Sequence, residues 1–276
     1  MRVVIEMRYA LITVRNLFLT VLFVYMIVGV FLYTAQDRMI LIGDDQDFHQ
    51  CDRLPAAAIP IEHNGERFFY ANNSEEHVVV FYHGNAASGC AFDAIANVLE
   101  TAGVSYVLSV YPGFAGDMRS QSVGSMLEYT GTIDDFIRSS GYDPGNTMLV
   151  GYSIGGAAAA YHSKDADFNS VFLISPFRRL SDVVSDIFPI YPSGLMLRQD
   201  LTLDLWLGEH DGDISIYYTE TDTVVPAEHS SALIDHLEEM GKVPRAVAID
   251  GSDHNIIMLE NQLLEGLHEA AIDLKR

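Results

Sequence analysis

Ser153 stands at the centre of Gly151-Tyr152-Ser153-Ile154-Gly155, directly after the apolar run Thr147-Met148-Leu149-Val150 and directly before Gly156-Ala157-Ala158-Ala159-Ala160. A strand that turns this sharply into a helix tolerates no bulky side chain two residues before or after the serine. The turn holds that serine in a strained conformation with its hydroxyl exposed. The helix that follows presents its N-terminal amides to developing negative charge. The competing reading is a glycine-rich helix start with a solvent-facing serine. It leaves the preceding apolar strand without a role.

A serine hydroxyl is a weak nucleophile until a base takes its proton, and the base must itself be oriented by a carboxylate. For a nucleophile at such an elbow the expected chain order is Ser, acid, His. Ten histidines compete. Those before Ser153 stand in the wrong order, and His162 lies on the helix that follows it. His210, His229 and His236 come too early or fall in a charged helix expected to be exposed, and His268 lies in the last helix. His254 remains, in Gly251-Ser252-Asp253-His254-Asn255 after the final strand. The acid should leave the end of a strand, and Asp222 does so in Glu220-Thr221-Asp222-Thr223-Val224-Val225-Pro226. Asp211 and Asp213 precede that strand and belong to the opposite edge of the sheet. Glu220 is the nearest rival, and Asp253 reads as a surface neighbour of the base.

An oxyanion needs two fixed backbone N–H donors, each worth about 10²–10³ in rate. The Ile154 amide supplies one. The loop Tyr82-His83-Gly84-Asn85-Ala86-Ala87-Ser88 offers the other. Gly84 lets the backbone turn in close and the Asn85 amide donates. His83 reads as a structural partner of the loop backbone, with a metal ligand or second base as the alternative.

These groups need a scaffold whose strand ends converge. From about Arg67 short apolar runs alternate with helix-like segments. The strands are expected at 78–82, 105–110, 147–150, 170–174, 214–218 and 246–249, and crossover helices at 92–102 and 123–140. Continuous apolar runs suit strands buried on both faces. The architecture is therefore α/β, with a mostly parallel, doubly wound sheet. There is no internal repeat and no low-complexity linker.

Residues Leu17 to Ala35 carry no charge and are long enough to cross a hydrocarbon core of ~30 Å as a helix. Arg2, Arg8 and Arg15 precede this run with only Glu6 against them, whereas Asp37, Asp44, Asp45 and Asp47 follow it with Arg38. The positive-inside tendency places residues 1–16 in the cytoplasm, 17–35 as an uncleaved signal anchor and the remainder on the exported side. A cleaved signal peptide would need small residues where Tyr33-Thr34-Ala35 stands, and a buried core helix would show a polar face.

The net charge is −22, and after residue 36 there are 13 positive against 37 negative residues, a net −24. Such a surface does not bind nucleic acid or anionic lipid, so a helix and not a basic patch must hold the chain at a membrane. Scarce lysine with abundant carboxylate also suits a high-salt habitat, or simply an acidic soluble surface. Cys51 and Cys90 are too few for a disulfide framework and far apart in sequence, which leaves two unpaired thiols as the expectation. No zinc, calcium or phosphate-loop spacing occurs, so neither metal nor cofactor is expected.

The motifs together resemble a branch of the α/β-hydrolases: membrane-anchored members related to monoacylglycerol lipase, serine aminopeptidases and protein depalmitoylases. The likeness is carried by Phe31-Leu32-Tyr33 with Arg38-Met39-Ile40, and by His83-Gly84-Asn85-Ala86. It continues in Tyr111-Pro112-Gly113-Phe114-Ala115-Gly116, in 151–156, and in the pair 222–226 and 251–255. It implies a hydrolase domain over 67–276, with 36–66 leading into the sheet. It implies the same Ser153, Asp222 and His254 triad with Asn85 and Ile154 as donors, and a small helical insert at about 176–207 in place of a large lid. Relatives usually carry His-Gly where this chain has Thr219-Glu220, and Gly-x-Ser where it has Gly116-Asp117; both departures bear on the pocket rim.

The expected activity is cleavage of a carboxylic ester or thioester of a small or lipid-like acyl substrate. Phe177, Ile187, Phe188, Ile190, Tyr191, Leu195, Met196 and Leu197 either line an acyl slot or simply pack the insert. The alternatives are a serine aminopeptidase-like peptidase and an inactive, membrane-tethered binding module.

Overall fold

The computed structural model describes every residue except Met1, Asp45 and Asp165, with side chains from Ile5 onward. The charges read on Arg2 and Asp45 therefore lie outside the described residues. The chain opens with α1 (Arg2–Ile40), then the strands β1 (Ile59–His63), β2 (Glu66–Ala71) and β3 (Val78–Tyr82). Helix α2 (Asp93–Ala102) leads to β4 (Ser105–Val110), α3 (Val123–Ser139) to β5 (Thr147–Tyr152), and α4 (Gly155–Ser163) to β6 (Ser170–Ile174). Three short helices follow: α5 (Leu180–Ile187), α6 (Ser193–Met196) and α7 (Leu203–Gly208). The chain closes with β7 (Asp213–Thr219), α8 (Ala227–Glu239), β8 (Arg245–Ile249) and α9 (Asn261–Asp273).

The eight strands form one sheet in the order β1-β2-β4-β3-β5-β6-β7-β8. Strands β3 to β8 are parallel, and β1 and β2 join antiparallel at one edge. The central strands β3, β4 and β5 are buried at every position, as largely apolar runs require when helices cover both faces. The register sets Tyr152 opposite Ile174, Ile174 opposite Tyr217, and Thr219 opposite Ile249. The carboxyl ends of β5 to β8 thus share one rim. Helix α4 runs beneath that rim, and Ala157 to Ala160 are fully buried. Their methyl-sized side chains let α4 lie close against the sheet.

Three elements depart from expectation. The β1–β2 hairpin turns on Asn64 (φ +50°) and Gly65 (φ +83°), the two left-handed residues of a tight hairpin; β1 and the turn fall inside what read as a leader into the sheet. Helix α1 runs well beyond the uncharged stretch at both ends, because Glu6, Arg8, Arg15 and Arg38 are all good helix formers. Its apolar window of 18 residues is unburied by the rest of the chain, so α1 is not a core helix.

The third departure concerns the cysteines. Cys51 and Cys90 form a disulfide with their Cα atoms 5.8 Å apart, in place of the two free thiols expected. Chain distance misled here, because the segment after α1 folds back over the loop that precedes Cys90. The Asn85 side chain donates to the Ile40 carbonyl at 2.8 Å and accepts from the Ile42 amide at 2.6 Å, and the Ala86 amide donates to the Ile42 carbonyl at 2.8 Å. A bridge across 39 residues restricts the unfolded chain by about 4 kcal/mol. We expect Cys51→Ala with Cys90→Ala to lose about 2–4 kcal/mol, read as a lowered urea midpoint in detergent. A midpoint equal to wild type would mean that the bridge adds nothing.

Candidate active site

The strand-to-helix turn at Ser153 is built as its spacing demands. Ser153 has φ +53°, a backbone region most residues avoid. A Cβ on Gly155 would lie 2.2 Å from the Tyr82 carbonyl oxygen, and one on Gly151 would lie 2.5 Å from Gly156 Cα. Only hydrogen fits at either place. A Cβ on Gly84 would meet the Tyr152 ring at 2.7 Å and Ser153 Cβ at 3.4 Å, so the loop after β3 runs directly against the serine.

The structure brings Ser153, Asp222 and His254 together. His254 Nε2 lies 2.9 Å from Ser153 Oγ, and His254 Nδ1 lies 2.7 Å from Asp222 Oδ2. With Nδ1 protonated, His254 donates to the carboxylate, and its Nε2 lone pair accepts from the serine hydroxyl. Asp222 Oδ1 accepts from the amides of Val224 and Val225 at 2.9 and 2.8 Å. Burial alone would raise the Asp222 pKa. The bonds from His254 and the two amides outweigh it and hold the carboxyl below its ordinary value, so it is ionised at neutral pH. All three side chains are buried.

The rivals lie elsewhere. Glu220 is exposed, Asp253 accepts from the amides of Asn255 and Ile256, and Asp213 opens β7 at the far edge of the sheet. Of the histidines set aside, His229 sits differently from expectation, and His210 is also buried. His229 is buried and meets Asp186 at 3.0 Å, and His210 is buried beneath Lys242. Helix α8 packs its His229 side inward, so the charged sequence around that residue did not signal exposure.

Among the described residues, neither the Asn85 nor the Ile154 amide donates to a protein acceptor, leaving both available to an oxyanion. His83 is fully buried, with Nδ1 on the Gly84 carbonyl at 2.7 Å and Nε2 accepting from the Tyr111 amide at 3.4 Å. Burial lowers its pKa from 6.5 to about 4, against a smaller raising effect of the Gly84 bond. His83 is thus a neutral brace of this loop. Between pH 6.5 and 4 the unfolded chain binds the extra proton, so this stabilisation is complete above 6.5 and fades as pH falls toward 4. The shift is worth roughly 3 kcal/mol. The wild-type urea midpoint should fall between pH 7 and 4.5, and His83→Gln should flatten that slope; an unchanged slope would refute the assignment.

Sequence reasoning missed the groups that brace the loop carrying His254. Tyr152 donates its hydroxyl to the His254 carbonyl at 2.8 Å. Thr219 donates to the Ser252 carbonyl at 2.8 Å, and the Thr221 hydroxyl reaches the same carbonyl. Thr219 is the first residue of Thr219-Glu220, the pair noted above as a departure on the pocket rim, and that departure was the one signal in the sequence. Among the described residues no group of three His, Cys, Asp or Glu side chains is placed to hold a metal ion.

No family model matches this chain, and no curated protein sequence matches it. Solved structures do match. A thermophilic esterase from the planctomycete Thermogutta terrifontis, with butyrate bound, superposes with TM-score 0.60 at 15% identity, over 79% of this chain and 95% of that one. A Pyrococcus furiosus esterase gives TM-score 0.61 at 12% identity, over 79% and 90%. The acylaminoacyl peptidase of Pyrococcus horikoshii gives 0.58 at 12% identity, over 78% of this chain and 39% of that one. The likeness assigns the α/β-hydrolase fold to this chain.

Proposed function

We propose that the chain is a serine hydrolase that cleaves carboxylic esters or thioesters through an acyl-enzyme on Ser153. The observation that carries this reading is the continuous relay of 2.9 and 2.7 Å from Ser153 through His254 to Asp222. Ser153 Oγ attacks the acyl carbon while its proton passes to His254 Nε2. The carbonyl electrons move to an oxyanion held by the Asn85 and Ile154 amides. Collapse expels the alcohol or thiol, which takes the proton back from His254. Water, deprotonated by His254, then attacks the acyl carbon and releases the carboxylic acid with Ser153 restored.

Helix α1 acts as a single-pass anchor, with the hydrolase domain (67–276, insert 176–207) on the exported side. Three features support this placement: an uncharged run of membrane-spanning length, arginines before it and carboxylates after it, and a disulfide, which persists in oxidising compartments. A second reading, cleavage of short peptides, is favoured by the likeness to an acylaminoacyl peptidase.

Full-length protein in detergent should take one fluorophosphonate label per chain. It should also turn over acyl p-nitrophenyl esters at least ten times faster than aminoacyl anilides. The reverse preference would favour the peptidase, and failure to label would leave an inactive binding module.

A further inference from the structure

The insert between β6 and β7 contains an uncharged stretch, Ile187-Phe188-Pro189-Ile190-Tyr191-Pro192-Ser193-Gly194-Leu195-Met196-Leu197, bounded by Asp186 and Arg198. In a chain of net charge −22 that interruption is conspicuous. Ile187, Ile190 and Leu195 are 63%, 71% and 86% exposed, which water would penalise.

This stretch is packed along α1. The Tyr25 hydroxyl donates to the Ile190 carbonyl at 3.0 Å, the Tyr191 hydroxyl donates to the Tyr25 carbonyl at 2.9 Å, and the two rings stack at 4.5 Å. One turn further along, Gly29 leaves room for the Tyr191 ring, which a Cβ would approach to 3.2 Å. At the other end Arg198 meets Asp37 at 3.2 Å, and the Gln36 side chain bonds Met196 and Arg198. The Asp37–Arg198 pair marks the water boundary, since a bare charge is costly in hydrocarbon. Tyr25 lies twelve residues back along α1 from Asp37, or ~18 Å at 1.5 Å per residue. The uncharged part of α1, Asn16 to Gln36, spans roughly 30 Å, one hydrocarbon core. If α1 crosses the bilayer, the tip of the insert is carried to about its middle.

The insert is dressed for that depth. Pro189 and Pro192 have no N–H, the Phe188, Tyr191, Leu195 and Leu197 amides bond carbonyls within the insert, and the Ile190 carbonyl takes the Tyr25 hydroxyl. These bonds meet part of the need that backbone groups in lipid be satisfied internally. Apolar grooves flank the contact. One is lined by Tyr25, Gly29 and Val30 against Tyr191 and Met196, and the other by Leu32, Met39 and Ile40 against Val184 and Phe188. Ile40, one wall of the second groove, accepts at its carbonyl from the side chain of Asn85, the residue after Gly84; neither groove is itself lined by Ser153.

We propose that residues 187–197 sit inside the bilayer against α1, and that the grooves between them take the acyl chain of a membrane lipid ester, so that its carbonyl reaches Ser153 laterally. This rests on the hydrolase and anchor readings above and names their substrate as bilayer-resident.

The test uses full-length protein in phosphatidylcholine vesicles. Ile190→Trp in a Trp206→Phe background, with Leu195→Trp as a second probe, should lose at least half its emission to lipids brominated at mid-chain and resist aqueous acrylamide. Emission quenched by acrylamide and untouched by bromine would overturn the proposal. In parallel, Ile190→Asp with Leu195→Asp should lower, at least tenfold, the ratio of turnover of methylumbelliferyl palmitate in the vesicles to that of methylumbelliferyl acetate in water. An unchanged ratio would also overturn it. If the hydrolase reading itself fails, wild type cleaves neither ester while the quenching result stands on its own.

Discussion

Ser153→Ala is expected to lower kcat by about 10⁴–10⁶-fold and to abolish fluorophosphonate labelling, while the urea midpoint stays close to wild type. The fold should survive because Ala faces the same φ of +53° as Ser, and the Gly151 and Gly155 contacts that hold the turn are untouched. Activity should collapse because, among the described residues, no other hydroxyl bonds His254, whose Nε2 is on Ser153 Oγ. The informative control is Ser175. It too is buried with positive φ (+46°), at the end of the neighbouring strand β6, and its Oγ has no partner among the described residues. It has the strain and placement of a nucleophile but no imidazole to activate it. Ser175→Ala should therefore keep kcat within a few-fold and keep the label. If Ser153→Ala retains turnover within tenfold of wild type while Ser175→Ala loses it, the nucleophile is Ser175 and the elbow is a structural turn.

Where a motif fixes its own backbone, the sequence was readable: Gly151 and Gly155 announce a turn that admits no side chain, and the apolar runs announce strands covered on both faces. What stayed hidden depends on chain segments meeting across long separations. The Cys51–Cys90 bridge and the grip of Asn85 on Ile40 and Ile42 both require the segment after α1 to fold back over the loop after β3. No local pattern encodes that return. The β1–β2 hairpin was hidden differently: Asn64-Gly65 is a strong turn signal, but β1 is a five-residue edge strand containing Pro60, too short and too exposed for its alternation to stand out. His229 shows the limit of reading burial from neighbouring charge. A helix needs only one apolar stripe to pack, and His229 on that stripe of α8 is buried whatever its neighbours are; His210 is buried in the loop before β7.

Asp222→Asn is expected to cost about 10⁴-fold in kcat with little change in fold, and the structure gives the reason atom by atom. Asp222 Oδ1 accepts from two amides, Val224 and Val225, while Oδ2 accepts from His254 Nδ1. An asparagine must keep its one carbonyl oxygen on the two amides, because turning its NH₂ toward two N–H donors would leave all of them unpaired. Its NH₂ then faces His254 Nδ1 and donates to it. That bond selects the tautomer with the proton on Nε2, and Nε2 then has no lone pair for the Ser153 hydroxyl. The relay runs backwards, with every heavy atom still in place. Glu220→Gln removes the nearest other carboxylate on the same turn, but Glu220 is exposed, so kcat should stay within about threefold, as for surface changes generally. A large loss in Glu220→Gln, with Asp222→Asn nearly unaffected, would move the orienting acid to Glu220. The amides of Val224 and Val225 would then be holding a purely structural turn.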